Sequence, residues 1–124
     1  MNDKKLGELW WFNLDGKVRP VVIVDEGVSG TEVDVIFAKV TSHAPRNKYD
    51  VEIIHWREAN LKVESLVRCS KLFTVESMGL KRRIGMLHNE DLLNVLSKIA
   101  EKINENVIKA QKRIEAEANR EKDS

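Results

Sequence analysis

The first two-thirds of the chain has the hydrophobic pattern of short β-strands. The segments GELWWFNL and KVRPVVIVDE are largely apolar and are separated by the dipeptide Asp15-Gly16. Asp-Gly between two apolar runs is a strong signal for a two-residue hairpin, because both turn positions need a positive φ. Residues 21–24 are β-branched and apolar on both faces, which is typical of a strand in the middle of a core.

Three further segments predict strands. TEVDVIFAKVTS and YDVEIIHW are expected to form a second strand pair, joined by the exposed loop HAPRNK, and SLVRCSKLFTVE is another strand candidate. Many short strands with turn signals between them indicate a small barrel or sandwich. Strict alternation along a strand predicts two sets of residues that each share a face. These sets are Val33, Val35 and Phe37, and Val67, Cys69, Phe73 and Val75.

The last third of the chain changes to a helical period. Asn89 can cap a helix, and Glu90 and Asp91 place negative charge at the positive end of its dipole. Since no glycine or proline interrupts the pattern, we predict one helix over about residues 90–115, followed by the frayed tail ANREKDS. The stripe is longer than a small barrel covers, so its far end either packs on another chain or projects. Its apolar residues are Leu92, Leu93, Leu96, Ile99, Ala100, Ile103, Val107 and Ile114.

The composition fits one globular domain without a membrane segment. The chain has 124 residues, 42% hydrophobic and 33% charged, so residues 1–124 can build one modest core and are taken as a single domain. No apolar run approaches the roughly 20 residues that span a bilayer, and the N-terminus lacks the apolar region of a secretory signal. Cys69 is the single cysteine and the histidines show no metal-ligand spacing. We therefore expect a cytoplasmic protein without metal or cofactor.

Two basic features have candidate chemical roles. The formal net charge of +1 excludes the strong overall field of a histone-like protein, so nucleic-acid binding would depend on local clusters. The most compact cluster is LKRRIG, which either contacts phosphates or forms a solvated turn or strand edge. Arg19 stands before Pro20, which suits the first position of a strand and holds the preceding residue extended. At this start of the strand, on the rim of the predicted core, Arg19 either pairs with Asp25 or Glu26, or presents a rigid guanidinium to a phosphate.

Five pieces of sequence, in order, resemble the MazF/PemK family of toxin ribonucleases. They are GELWW, VRPVVIV, VTS, NLKVESLVRCSKLFTV and RRIGMLHNEDLLNVLSKI, and together they extend over residues 6–103. The resemblance implies a β-rich α+β fold, a small SH3-like β-barrel at about residues 6–88 with short helices and a long C-terminal helix. Family members cleave single-stranded RNA without a metal, usually as homodimers, and a cognate antitoxin blocks their groove. Here the Asp-Gly turn replaces a longer family loop, and the tail beyond residue 103 is longer than usual.

The resemblance also implies positions for a site. The family's catalytic arginine and threonine fall on Arg19 and Thr41, whereas Ile84 and Gly85 are interpreted as fold residues. Arginine suits the chemistry because its planar fork binds two phosphate oxygens and stays charged, and a threonine hydroxyl can donate to a phosphate oxygen. The residues expected to bind the substrate are Ser42, His43, Arg46, Lys48, Ser65, Lys81 and Arg82.

The predicted function is that of a type II toxin that cleaves single-stranded mRNA sequence-selectively. The substrate's 2′-hydroxyl would attack the phosphorus to give 2′,3′-cyclic phosphate and 5′-hydroxyl ends, with Arg19 stabilising the phosphorane and Thr41 orienting the phosphate. The proton acceptor stays open among a perturbed Arg19, water and His43. Expected partners are single-stranded RNA, a cognate antitoxin and a second copy of the chain. The alternatives are a CcdB-like toxin that binds DNA gyrase and a catalytically inactive binding barrel.

Overall fold

The computed structural model of the protein describes residues 4–27 and 34–123, which form an antiparallel six-stranded sheet and one long helix. The sheet order is β4-β5-β3-β2-β1-β6, and a short 3₁₀ helix, Ser77–Gly79, precedes β6. The α+β prediction is confirmed. The strands and the helix are β1 (Glu8–Leu14), β2 (Lys17–Asp25), β3 (Asp34–Thr41), β4 (Asp50–Glu52), β5 (Leu66–Glu76), β6 (Arg82–Met86) and α1 (Asn89–Asp123).

The predicted hairpin joins β1 and β2. Asp15 has a φ of 52° and Gly16 a φ of 84°, and Leu14 pairs with Lys17 directly before and after the turn. Both central residues are therefore left-handed, the geometry that matches the twist of the two strands. The turn also sets the register of the two strands, which brings Arg19 opposite Phe12.

The predicted pairing of β3 with β4 is wrong, because β5 lies between them. β5 has 11 residues and forms the long ladder with β3, whereas β4 has only 3 residues and pairs with the other side of β5. The exposed loop of residues 42–48 is longer than a hairpin turn, so it carries the chain past the position that β5 occupies. Residues 31–33 of the predicted strand, Val33 included, lie outside the described residues.

The predicted common face of β5 is also wrong, because a bulge divides the strand. The pairing moves from Lys39 opposite Arg68 to Ala38 opposite Leu72, so three residues of β5 are inserted at this point. An odd insertion reverses the alternation of side chains. Val67 and Cys69 consequently pack in one hydrophobic core, whereas Val75 packs in the second core and Phe73 lies beside Phe37 of that core.

Two hydrophobic cores lie on the two faces of the sheet, which explains why its central strands are apolar on both sides. The first core lies between the sheet, the segment of residues 53–61 and the start of α1. The second is smaller and lies under the 3₁₀ helix and the residue that follows it. Central members are Leu9, Val22, Val40, Val67 and Val95 in the first, and Val21, Ile23, Val35, Phe37 and Leu80 in the second.

The strands of the predicted small SH3-like barrel form a sheet that stays open. Across the described ranges no backbone ladder joins the two edge strands, β4 and β6. Beyond β4, residues 54–60 form successive turns, with the Ala59 N–H donating to the His55 carbonyl. This segment connects the two edge strands, because it follows β4 and the side-chain amide of its Asn60 donates to the carbonyl of Ile84 in β6.

The helix begins as predicted near residue 89 but differs at its cap and its end. His88, rather than Asn89, has the capping role, since its carbonyl accepts the Leu92 N–H and its Nδ1 accepts the Glu90 N–H. The helix continues to Asp123, past the predicted end near residue 115, so the described part of the predicted frayed tail is helical. Alanines and oppositely charged residues three or four positions apart favour helix there without a packing partner.

Candidate active site

A cleft of about 520 Å³ opens where β2 begins and β3 ends. One wall is made by the start of β2, the end of β3 and the loop that follows β3. The other wall is made by β6 and by the segment of residues 60–65. Both proposed catalytic residues and four of the seven proposed substrate-binding residues line this one cleft. They are Arg19, Thr41, Ser42, His43, Ser65 and Arg82.

Arg19 and Thr41 come together through strand register. The ladder between β2 and β3 ends with Val21 opposite Lys39, and Arg19 and Thr41 each lie two residues beyond this pair, so the same register extended would make them facing positions. Side chains at facing positions of antiparallel strands lie on the same face of the sheet. Pro20 has no N–H, so it cannot donate a hydrogen bond to the ladder at this point. The register explains why two residues far apart in sequence line the same cleft.

The guanidinium of Arg19 is half-buried and has no ion-pair partner in the described part of the chain. The two carboxylates considered as partners serve other groups. The Asp25 side chain accepts the Gly27 N–H at 2.8 Å, and that of Glu26 accepts the Leu6 N–H at 2.8 Å. The ion-pair interpretation of Arg19 is therefore wrong, and its five N–H donors are available to a ligand in the cleft.

Thr41 is buried, with 5% of its surface exposed, but it lies on the cleft wall. Its hydroxyl oxygen accepts the backbone N–H of His43 at 3.2 Å. Because a hydroxyl can accept and donate at once, its hydrogen remains free to donate into the cleft. The same bond turns the loop so that His43 also lines the cleft.

The opposite wall is held by polar contacts to β6. Asn60 adopts a left-handed φ of 69°, and its amide donates to the Ile84 carbonyl at 2.7 Å. Ser65 donates its hydroxyl to the Val63 carbonyl at 2.9 Å, so it shapes the segment that borders the cleft. The guanidinium of Arg82 lies 5.7 Å from the centre of the Trp11 ring, which places a second cation on the cleft surface.

Three predicted substrate-binding residues do not line the cleft. Lys48 forms an ion pair with Glu105 of α1 at 2.8 Å, and that hydrogen bond raises the pKa of Lys48. Arg46 lies on the exposed loop, where its backbone N–H donates to Asp50. Lys81 is exposed in the connection before β6. Lys48 therefore ties the loop to the helix instead of facing a substrate.

Sequence reasoning missed several residues of the cleft. Lys62 and Asn60 line it although they are distant in sequence from both catalytic candidates, and the local pattern carries no sign of this proximity. Arg83 also lines the cleft, but its Nε donates to Glu8 at 2.7 Å. The one available signal was the segment NLKVESLVRCSKLFTV, which resembles the family and begins at Asn60. It indicated the region but gave no role to the side chains of Asn60 and Lys62.

A thiol and a histidine cluster outside the cleft are two other candidates for chemistry. Burial raises the pKa of the Cys69 thiol to about 12, so it packs as a hydrophobic residue and is not a nucleophile. Among the described residues, His55, His88 and Glu90 have ligand atoms within 4.8 Å of one another and could hold a metal ion. They lie where the turns of residues 54–60 meet the start of α1, outside the cleft, and His55 already pairs with Glu90 at 3.3 Å.

The match to a known family covers most of the chain. Residues 5–103 match the family model described as PemK-like, MazF-like toxin of type II toxin-antitoxin system. The chain therefore belongs to the PemK-like, MazF-like family of type II toxins. No curated protein matches the sequence. In the ranges that the structure covers, no helix is long and apolar enough to cross a membrane.

Several solved structures share this fold. A mycobacterial endoribonuclease superposes with a TM-score of 0.70 at 16% identity, covering 84% of this chain and 94% of the other. The Mycobacterium tuberculosis toxin MazF-mt6 gives 0.63 at 22% identity, covering 78% and 96%. A MazE-MazF structure from Deinococcus radiodurans gives 0.65 at 18% identity, covering 80% and 93%. At these identities the likeness shows the fold.

Proposed function

We propose that this toxin is a metal-independent, sequence-selective endoribonuclease that cleaves single-stranded mRNA. The observation that carries the proposal is the meeting of Arg19 and Thr41 in one cleft, with the guanidinium of Arg19 free of ion pairs in the described chain. Arg82 and Lys62 add positive charge to the same cleft. Membership of the toxin family and the likeness to a mycobacterial endoribonuclease also support the proposal.

The reaction forms one bond and breaks one bond at phosphorus. The 2′-oxygen of a ribose attacks the adjacent phosphorus, and the bond from phosphorus to the 5′-oxygen of the next nucleotide breaks. The products are a 2′,3′-cyclic phosphate and a 5′-hydroxyl. We propose that Arg19 binds the two non-bridging phosphate oxygens as negative charge grows on them, and that Thr41 donates to one of these oxygens.

Two protons must move in this reaction. One leaves the attacking 2′-hydroxyl, and one reaches the departing 5′-oxygen. His43 lines the cleft beside Thr41, and an imidazole can either accept or donate a proton near neutral pH. We propose that His43 performs one of these transfers and that water performs the other.

The test is cleavage of a mixed-sequence single-stranded RNA in EDTA, with identification of the product ends. Wild-type protein should leave cyclic phosphate and 5′-hydroxyl ends. Arg19→Ala and Thr41→Ala should each slow cleavage by about 100- to 1,000-fold, the usual effect of removing a donor to developing charge. Matched controls are Arg113→Ala on the exposed end of α1 and Thr74→Ala at an exposed position of β5. Both controls should cleave as the wild type does.

Two results would contradict the proposal. Folded wild-type protein that leaves the RNA intact would favour a binding toxin, and gyrase would be the next target to test. Cleavage that survives Arg19→Ala would place the chemistry elsewhere. Thermal unfolding of every variant shows whether a loss of activity reflects chemistry or a loss of fold.

We also propose two protein partners. The Deinococcus radiodurans MazE-MazF structures and the mycobacterial endoribonuclease in complex with its cognate antitoxin support a cognate antitoxin for this chain. A homodimer is supported by the apolar side chains that α1 leaves exposed, among them Ile103, Val107 and Ile114. Light scattering of the purified protein, alone and with the co-expressed antitoxin, tests both partners.

A further inference from the structure

A second concave site of about 330 Å³ lies on the other side of Arg19. We call it the basic basin and define it by Lys17, Arg19, Lys39, Lys71 and Phe73. Arg19 lines both the cleft and the basic basin. A linear ligand bound in the cleft therefore needs only to pass Arg19 to reach the basin.

The fold brings these cations together from three strands. Lys17 begins β2 directly after the hairpin, and Lys39 lies two residues before Thr41 on β3. Lys71 comes from the bulge of β5, where the pairing moves from Arg68 to Leu72. Without that bulge the alternation of β5 would be different, so the basin depends on the insertion.

The charges in the basic basin are not balanced by the protein. Asp15 is the one carboxylate among its described lining residues, and Lys17, Lys39 and Lys71 form no ion pairs within residues 4–27 and 34–123. Partial burial lowers the pKa of Lys39, as do the positive charges of Arg19, Arg68, Arg46 and Lys71 around it. Crowded cations of this kind lose their mutual repulsion when an anion binds among them.

Phe73 gives the basin an aromatic surface. Its side chain is 39% exposed, and its ring centre lies 5.4 Å from that of Phe37, a buried residue of the second core. This packing holds the Phe73 ring while leaving part of it open to solvent. Aromatic rings beside a basic groove are the usual platform for bases of single-stranded nucleic acid.

We propose that the basic basin binds the nucleotide next to the cleaved phosphodiester of single-stranded RNA. Lys17, Lys39 and Lys71 hold its phosphate, and its base stacks on Phe73. The inference deepens the proposed function, on which it rests for the direction of the strand past Arg19. It assigns substrate binding to residues outside the cleft that the sequence pattern did not mark.

Binding of an RNA that cannot be cleaved tests the inference separately from catalysis. The probe is a short mixed-sequence single strand with 2′-fluoro groups, which lacks the attacking hydroxyl, and anisotropy is measured between about 50 and 200 mM salt. Lys39→Gln and Lys71→Gln should each weaken binding and reduce the salt slope by about 0.7, the value for one phosphate contact on a single strand. Phe73→Leu should weaken binding about tenfold without changing the slope.

Controls separate the basin from general charge and from folding. Lys112→Gln removes the same charge on the exposed part of α1 and should bind as the wild type does. Lys39→Arg keeps the charge and should restore binding if Lys39→Gln acts through the phosphate. Thermal unfolding of each variant checks that the sheet is intact.

The outcomes distinguish the basin from the nuclease. If Lys39→Gln, Lys71→Gln and Phe73→Leu bind the probe as the wild type does, the basin inference is overturned even when the wild type cleaves RNA. A wild type that does not bind the probe overturns it as well. If these variants lose binding although the wild type cleaves no RNA, the basin is a single-strand site and only the nuclease proposal fails.

Discussion

The backbone of Gly85 in β6 packs directly against the carbonyl group of Ala59. A Cβ built on Gly85 would lie 2.2 Å from the Ala59 oxygen, which no side chain tolerates. The neighbouring amide of Asn60 bonds to the Ile84 carbonyl, so two consecutive residues of each segment are in contact. This contact holds the segment of residues 53–65 against the edge strand and thereby forms one wall of the cleft.

Replacing Gly85 with alanine should therefore destabilise the fold. The clash is with backbone, which cannot rotate away, so we expect a loss of at least about 1–3 kcal/mol in the free energy of unfolding, measured in urea. Gly79→Ala is the matched control, because its Cβ would meet a side-chain methyl of Val75 at 3.3 Å instead of backbone at 2.2 Å. Equal stability of the two variants would show that the Gly85 contact does not constrain the fold.

Asp91 joins the start of α1 to the segment that borders the cleft. It is fully buried, and its two carboxylate oxygens accept the backbone N–H groups of Ile54 and His55, each at 2.9 Å. Asp91→Ala leaves both donors without an acceptor and should cost about 2–5 kcal/mol in urea unfolding. Asp91→Asn keeps one acceptor and should cost less. Glu117→Gln, an exposed carboxylate farther along α1, is the control and should leave stability unchanged, and equal stability of Asp91→Ala and this control would refute the role of Asp91.

Asp50 and Arg68 form a buried ion pair across β4 and β5. Their side chains are 0% and 3% exposed, and Arg68 Nη1 lies 2.6 Å from Asp50 Oδ2. Among the described residues, Asp50 Oδ1 and Arg68 Nε and Nη2 find no hydrogen-bond partner. Asp50→Ala should cost about 3–5 kcal/mol, because it leaves a guanidinium buried and unpaired. The double variant Asp50→Leu/Arg68→Met should be more stable than Asp50→Ala alone. Additive losses in a double-mutant cycle would argue against this coupling.

His55 makes stability depend on pH. Its hydrogen bond to Glu90 raises its pKa, as do the charges of Asp91, Glu58 and Glu90, although partial burial lowers it. A raised pKa in the folded state means that protonation stabilises the fold. The contribution is complete below the unfolded value of 6.5 and is lost as pH rises through the higher folded pKa.

The stability difference between wild type and His55→Gln should therefore shrink as the pH rises from below 6.5 through the raised folded pKa. Urea unfolding across this range is the measurement. Glu90→Gln should flatten the profile, and His88→Gln tests the contribution of the ring stacked on His55, whose centre is 4.0 Å away. A difference that stays constant with pH would remove His55 from this role.

Local patterns were sufficient for much of the fold and for part of the site. The hairpin at Asp15-Gly16 and the start of α1 follow from neighbouring residues, since turn chemistry and helical period are local. Arg19 and Thr41 were marked by motif position, and the structure places both in the cleft. The predicted end of α1 was wrong because it was taken from the end of the apolar stripe. Helix propensity instead continues the helix to Asp123.

The sequence by itself determined where β1, β2, β3, β5 and the start of α1 form, because hydrophobic period and turn residues act over a few positions. Only the tertiary structure decided the insertion of β5 between β3 and β4 and the three-residue bulge at Lys71. Strand order and register depend on which long-range ladder buries the most surface, a choice among distant segments that no local pattern carries. The same choice brings Lys39 and Phe73 beside Arg19 and makes the basic basin.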